Sequence, residues 1–259
     1  MSISVGIAGM GAIGRAVARA LVDGIDGYHL HAASDVNPPT EFDIPYFDFE
    51  QLCKSCDLII EALPPHIVPQ LTPHIFAHEK DAILISSSAL LLYPEILAQK
   101  DSVTSRIIVP SGALSGLDGV SALKQMGIER ALIATTKKPM GYDGAPYIVE
   151  NNIDLAAIKT KECLFKGNAI EASRAFPANI NVAATLSLAG IGPERTQVEI
   201  WADPEIGGNT HEITVSGEFS TIRGRVENTP DPANPKSSML AAQSIISVLK
   251  KMNAPVVVL

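Results

Sequence analysis

Three cysteines in 259 residues cannot build a disulfide framework, so the fold must stand on its core. Two of them, Cys53 and Cys56, form a CxxC, but no redox βαβ context and no second ligand pair accompanies it. The expectation is reduced, half-buried thiols, no metal site and a cytoplasmic setting. Basic clusters are also missing. The net charge is −8 and no three Lys or Arg adjoin, which argues against a nucleic-acid partner. Long apolar runs are missing too. The longest, within residues 89–97, is broken by Pro94 and Glu95 and falls far short of the ~20 residues that span a bilayer. The N-terminus enters a strand pattern directly, without the basic n-region of a signal peptide. What is present is 46% apolar against 19% charged residues, enough to bury a core and too little charge for disorder.

The order of segments then indicates the fold class. Short apolar runs at 3–8, 28–34, 57–63, 82–88 and 105–112 read as buried strands. Helical spacing at 12–23, a proline-opened helix over 66–78 and a helical stretch at 89–100 alternate with them, while the proline-interrupted residues 36–45 read as loop. Such alternation predicts an N-terminal Rossmann-type doubly wound parallel sheet. After residue 112 the texture changes. Segments 129–139, 161–167, 196–204 and 211–228 alternate polar with apolar residues, which predicts a second α+β domain on a mixed or antiparallel sheet, with a helix near 178–190. A proline-rich linker at 229–236 leads to an amphipathic helix at 237–252, N-capped by Ser237. The expected domains are 1–112, rejoined by the C-terminal segment 232–259, and 113–231.

Gly9-Met10-Gly11-Ala12-Ile13-Gly14 is a GxGxxG between a strand and a helix, with Asp35 at the end of the next strand. That context is the dinucleotide fingerprint. Gly9 would make the tight turn, Gly11 would leave room for a pyrophosphate, and Gly14 would let helix and strand close up. The helix start at Ala12 and Ile13 would turn unpaired N–H groups to the phosphates. Asp35 would accept the ribose hydroxyls, and residues 36–40 hold no Lys or Arg for a 2′-phosphate, so NAD is expected over NADP, with NADP possible. His211, after two glycines at a strand start, can project into a cleft between domains and move a proton near neutral pH; by spacing alone it could equally be a core or surface residue. Val215 excludes the zinc motif HExxH, and His74 and His78 read as a solvated helix face. Lys137, Lys138, Arg174, Arg195, Arg223 and Arg225 are the cations available to an acidic substrate.

Beyond the glycine motif, "VPSGALSGLDG" (109–119), "TTKKP" (135–139), "FPANINVAATLSLAG" (176–190), "NTHEI" (209–213) and "NTPDPANPKSSMLAAQS" (228–244) resemble the L-aspartate dehydrogenase family over nearly the whole chain. Dihydrodipicolinate reductases and homoserine dehydrogenases share the Rossmann half without this set. The resemblance implies oxidation of L-aspartate with NAD or NADP to iminoaspartate, which yields oxaloacetate and ammonia or feeds NAD biosynthesis. It implies that His211 is the active-site histidine and that Ala113 and Asn181 contact the cofactor. It also implies a homodimer, and leaves the carboxylate-binding cations, Lys137, Lys138 or Arg174, as expectations. The alternatives are a related dehydrogenase or reductase of another acidic substrate, and a non-catalytic NAD-sensing protein.

Overall fold

A computed structural model of the chain describes residues 2–99, 104–229 and 239–258. Contacts divide it into two compact units, Met1–Gly112 with Ala241–Leu259, and Ala113–Leu240.

In the first unit, β1 (Ile3–Ala8), β2 (Tyr28–Ser34), β3 (Leu58–Glu61), β4 (Asp81–Leu84) and β5 (Ile107–Ile108) form one parallel sheet in the order β2-β1-β3-β4-β5. The chain reverses its direction of travel across the sheet between β1 and β3, the switch point at whose carboxyl edge such folds bind ligands. Val5, Ile7, Ile60 and Ile83 pack against Val17 and Leu21 of α1 (Ala12–Gly24) and against Ile245 and Leu249 of α10 (Met239–Met252). Fully burying one such side chain contributes about 1.5–3 kcal/mol, which explains why the terminal helix belongs to this core.

Several expected bounds change. The fourth strand ends at Leu84 rather than 88, because the backbones of Ser86, Ser87 and Ser88 turn into α4 (Ala89–Leu92). Pro94, which has no N–H to donate, divides the stretch read as 89–100 into α4 and α5 (Glu95–Ala98). The fifth strand pairs over two residues instead of eight. α2 (Phe49–Ser55), capped by the Asp48 side chain on the Gln51 N–H, carries no long apolar period and was not expected. α3 (Val68–Ala77) follows a turn and carries Pro69 in its first turn. The Ser237 cap and all but Thr229 of the linker lie outside the described residues.

In the second unit, β6 (Arg130–Lys137), β7 (Glu162–Asn168), β8 (Thr196–Ala202), β9 (Thr210–Ser216) and β10 (Thr221–Glu227) form a mixed sheet in the order β10-β9-β6-β8-β7. Only β6 and β8 run parallel; the other neighbours are antiparallel. The alternating stretch 211–228 is a hairpin, turning at 217–220. Besides α9 (Asn181–Ala189), the unit contains α6 (Leu117–Met126), α7 (Pro146–Glu150) and α8 (Ala169–Ala175), which the alternating pattern did not signal. Tyr142 and Phe176, both fully buried, stack edge to face at 5.7 Å in its core.

Candidate active site

The glycine loop joins β1 to α1. Gly9 adopts φ +95°, and a Cβ there would overlap the Ala62 carbonyl. A Cβ at Gly14 would overlap the Gly9 carbonyl, so this glycine lets the helix close onto the loop. Gly11 differs: a Cβ there would meet nothing within 4 Å. It is the N-cap of α1, whose first turn has no acidic residue and no side-chain cap, so the N–H groups at Ala12 and Ile13 keep no side-chain acceptor. Asp35 follows β2. Its Oδ2 accepts the Met10 N–H at 2.6 Å and its Oδ1 the Asn37 N–H at 2.7 Å. An open cradle at a helix start, with a carboxylate fixed beside it, fits the pyrophosphate and ribose of a dinucleotide.

Two cations near this loop were not foreseen from the sequence. Residues 36–40 carry none, but Arg15 and Arg19 of α1 reach Glu41 at 3.9 and 2.7 Å. Helical spacing from Gly11 could have placed them on one face, whereas their pairing with Glu41 could not be read.

The second cluster is built on the mixed sheet. Thr135 of β6 lies opposite His211 of β9, and its hydroxyl meets the His211 Nδ1 at 3.0 Å. His211 is 6% exposed. No described residue partners its Nε2, and no buried side-chain nitrogen or oxygen among them lacks a partner, so Nε2 is the atom through which the ring reaches open space. Burial first, and the nearby Lys137 charge second, hold the imidazole down at about 3, so it is neutral at ordinary pH. Lys137, two residues from Thr135, shares its face of the strand. Its Nζ donates to Asn179 Oδ1 at 2.7 Å, no carboxylate among the described residues pairs with it, and burial pulls it down to about 8. Lys137 and Lys138 line a cavity of about 540 Å³, together with Asn179, Gly208 and Asn209. A half-buried ammonium without an anion among the described residues, beside a cavity of small-ligand size, suits a carboxylate guest.

The remaining expected residues fall elsewhere. Arg174 is exposed in the last turn of α8 and does not line this cavity. Arg195 donates to the Ile128 and Glu129 carbonyls, Arg225 pairs with Glu212 and Glu227, and Arg223 is exposed on β10. Ala113 is buried just after Gly112, and Asn181 opens α9 half-buried. Cys53 and Cys56 are fully buried, not half-buried, and burial pushes their thiols up to about 12 and about 11, which suits packing and not reactivity. Among the described residues no His, Cys, Asp and Glu group could hold a metal, and no helix is long and apolar enough to cross a membrane. Thr135, Asn179 and Asn209 were missed as candidates; period-two alternation in "TTKKP" could have paired Thr135 with Lys137.

A parallel five-stranded sheet opened by a glycine loop, followed by a mixed sheet, defines a Rossmann-type dehydrogenase fold. The solved aspartate dehydrogenase of Thermotoga maritima superposes with a TM-score of 0.80 at 26% identity, each chain covered over 100% of its length. The profile of the family described as "Aspartate dehydrogenase, C-terminal" matches residues 118–252. L-aspartate dehydrogenase 3 of Bordetella bronchiseptica is 39% identical, over 98% of this chain and 96% of its own. The L-aspartate dehydrogenase of Methanosarcina acetivorans is 40% identical, over 98% of both. The chain belongs to the L-aspartate dehydrogenase family.

Proposed function

We propose that the protein oxidises L-aspartate with a nicotinamide dinucleotide, giving iminoaspartate, which water converts to oxaloacetate and ammonia or which feeds NAD biosynthesis. The observation that carries this reading is the half-buried Lys137, paired with no carboxylate among the described residues, beside the neutral His211 and lining a cavity of ligand size. When bound, the dinucleotide supplies the acceptor for the hydride leaving Cα. The open backbone at Gly11 and the N–H groups of Ala12 and Ile13 hold its pyrophosphate, with Gly9 and Gly14 shaping the loop. Asp35 receives the adenosine ribose, and Ala113 and Asn181 contact the nicotinamide end, as the family resemblance implies.

Lys137 takes a substrate carboxylate, with Lys138 at the rim; Arg174, exposed and away from that cavity, is the weaker candidate. A carboxylate at Lys137 neutralises the charge that helps to depress His211, so substrate binding makes the imidazole more basic just when a proton must move. Thr135 fixes the ring through Nδ1 and leaves Nε2 to act on the substrate amine or on the water that attacks the imine. Asp35 and the uncharged residues 36–40 support a preference for NAD, which Arg15 and Arg19 moderate because they stand near that loop. Three free thiols support a cytoplasmic setting. The homodimer implied by the family belongs to the same proposal and is checked by light scattering.

The deciding experiment follows NADH formation with L-aspartate beside glutamate, alanine and homoserine. Aspartate should dominate in kcat/KM, because a substrate without the second carboxylate leaves the half-buried Lys137 unpaired. Comparable turnover of alanine would refute the dicarboxylate assignment.

A further inference from the structure

Among the described residues Glu61 is the only acidic side chain that is buried, with no exposed surface at all. It ends β3, at the carboxyl edge of the parallel sheet. Its Oε1 accepts the Leu63 N–H at 2.6 Å, and its Oε2 accepts the Ser86 N–H at 3.0 Å. The Ser86 hydroxyl in turn donates to the Leu63 carbonyl at 2.6 Å. One carboxylate therefore ties the loop after β3 to the loop after β4. Between its two ends lies Ala62, whose carbonyl is the surface on which Gly9 packs. Two neighbouring loops of the edge where a dinucleotide lies in such sheets are thus tied by one side chain, and the glycine loop packs on the residue between its bonds.

The groups that act on the Glu61 carboxyl are the backbone N–H groups of Leu63, Ile85 and Ser86 and the Ser86 hydroxyl, none of them charged or titratable. A buried carboxylate without a cation is costly, and its acceptor bonds to loop backbone are what offset that cost. We propose that Glu61 is a positioning residue for the nicotinamide dinucleotide: its ionised carboxylate holds the Leu63 and Ser86 backbones in the cofactor-binding arrangement, and its protonation weakens cofactor binding without unfolding the unit. This rests on the reading of the glycine loop given above. Burial pushes the carboxyl up to about 7 against the pull of its hydrogen bonds, which places the change of state in the working range.

The test measures the Kd of NAD by calorimetry from about pH 6 to about pH 8.5, for the unaltered full chain and for Glu61→Gln, with circular dichroism to confirm folding. A carboxamide keeps one acceptor and turns an N–H₂ toward the other backbone N–H, so Glu61→Gln should imitate the protonated state. The unaltered protein should bind about tenfold more tightly at the alkaline end, the effect of about one lost buried acceptor. Glu61→Gln should bind at the weak, acid-side value throughout, with a raised KM for NAD and an unchanged kcat at saturation. A folded Glu61→Gln protein with the normal Kd and the normal pH slope overturns the proposal. Should that variant fail to fold, a pH-independent Kd in the unaltered protein overturns it alone. An unaltered protein that binds no NAD at any pH removes the cofactor reading and this proposal together.

Discussion

In the parallel sheet the candidate cofactor loop is made of backbone: Gly9, Gly11 and Gly14 act by what they do not carry, and the Asp35 carboxylate ends on the Met10 N–H. In the mixed sheet the candidate substrate site is made of side chains: Thr135 and His211, both buried, with Lys137 and Asn179, both half-buried. A backbone site binds whatever offers phosphate oxygens, and its tolerance is steric. A side-chain site discriminates through charge and proton affinity, and its tolerance is chemical. Substitutions in the two units should therefore fail in different ways, one in cofactor affinity and the other in turnover and substrate choice.

The largest expected effect is in the side-chain site. His211→Ala should lower kcat for aspartate oxidation by about 10²–10⁴-fold while leaving NAD affinity nearly unchanged. A near-normal kcat would reduce His211 to a packing residue and break the contrast. In the backbone site, Gly11→Val should weaken NAD binding by at least about tenfold, or ~1.4 kcal/mol, in a protein that still folds, since a side chain there enters open space. Gly14→Ala should instead cost stability, about 1–3 kcal/mol or more, because its methyl meets the Gly9 carbonyl. Thermal melts and calorimetry on the pair separate binding from folding; equal Tm losses would contradict the assignment of Gly11.

Lys137 brings pH into the comparison. Its folded value, about 8, lies below the ordinary lysine value, so above about pH 8 it is neutral and the KM for aspartate should climb. Over the window from there to the ordinary value the unfolded chain keeps a proton that the folded one has lost, so this group's contribution to stability grows with pH. Lys137→Met should raise KM by about ten- to a hundredfold, the range of a charge-assisted hydrogen bond, ~1.5–3 kcal/mol, and should remove that alkaline limb. A KM flat to about pH 9.5, well above the folded value of about 8, would exclude Lys137 as the carboxylate ligand. Smaller effects come from the cofactor's ribose. Asp35→Ser with Val36→Arg should shift preference toward NADP by about tenfold, ~1.4 kcal/mol, read as the ratio of kcat/KM values. Smallest of all, Arg174→Ala should leave KM within about twofold, as befits an exposed cation.

How much of this could be read from the sequence follows the same division. The β1–α1–β2 unit was legible to within a residue or so, because a buried strand and an amphipathic helix each impose a period, and the glycines punctuate them. Strands ending in Ser86–Ser88 and at Ile107–Ile108 were read too long, since buried serines and short ladders keep the composition of a strand without its hydrogen bonds. α7 and α8, of five and seven residues, are too short to display a helical period. For the candidate site, the glycine loop is contiguous and so is visible in one window. His211, Lys137 and Asn179 sit on two strands and a turn, and only the sheet register brings Thr135 to His211. His211 and Lys137 stand out in the sequence by residue type and by the family likeness, whereas Asn179 and Thr135 join them only through the fold.

The short bridge at the rim of the parallel sheet has a consequence for solubility. Beyond β2 there is no further strand among the described residues. Tyr28 is bridged to Ile25 and Ala33 to Tyr46, the Ala33 N–H donating to Pro45 O and its carbonyl accepting the Phe47 N–H, while Tyr46 ties back to Pro39 O. At the opposite rim β5 offers two residues. In the mixed sheet the outer strand β10 carries Arg223, Arg225 and Glu227 on its open side. Long, flat, uncharged rims invite a second chain to add itself as a strand, the first step toward fibrous aggregates. Here the rims of the parallel sheet are clipped or truncated, and both outer strands of the mixed sheet are charged, β10 through those three residues and β7 through the exposed Glu162 and Lys166, so each rim is a poor template for another copy.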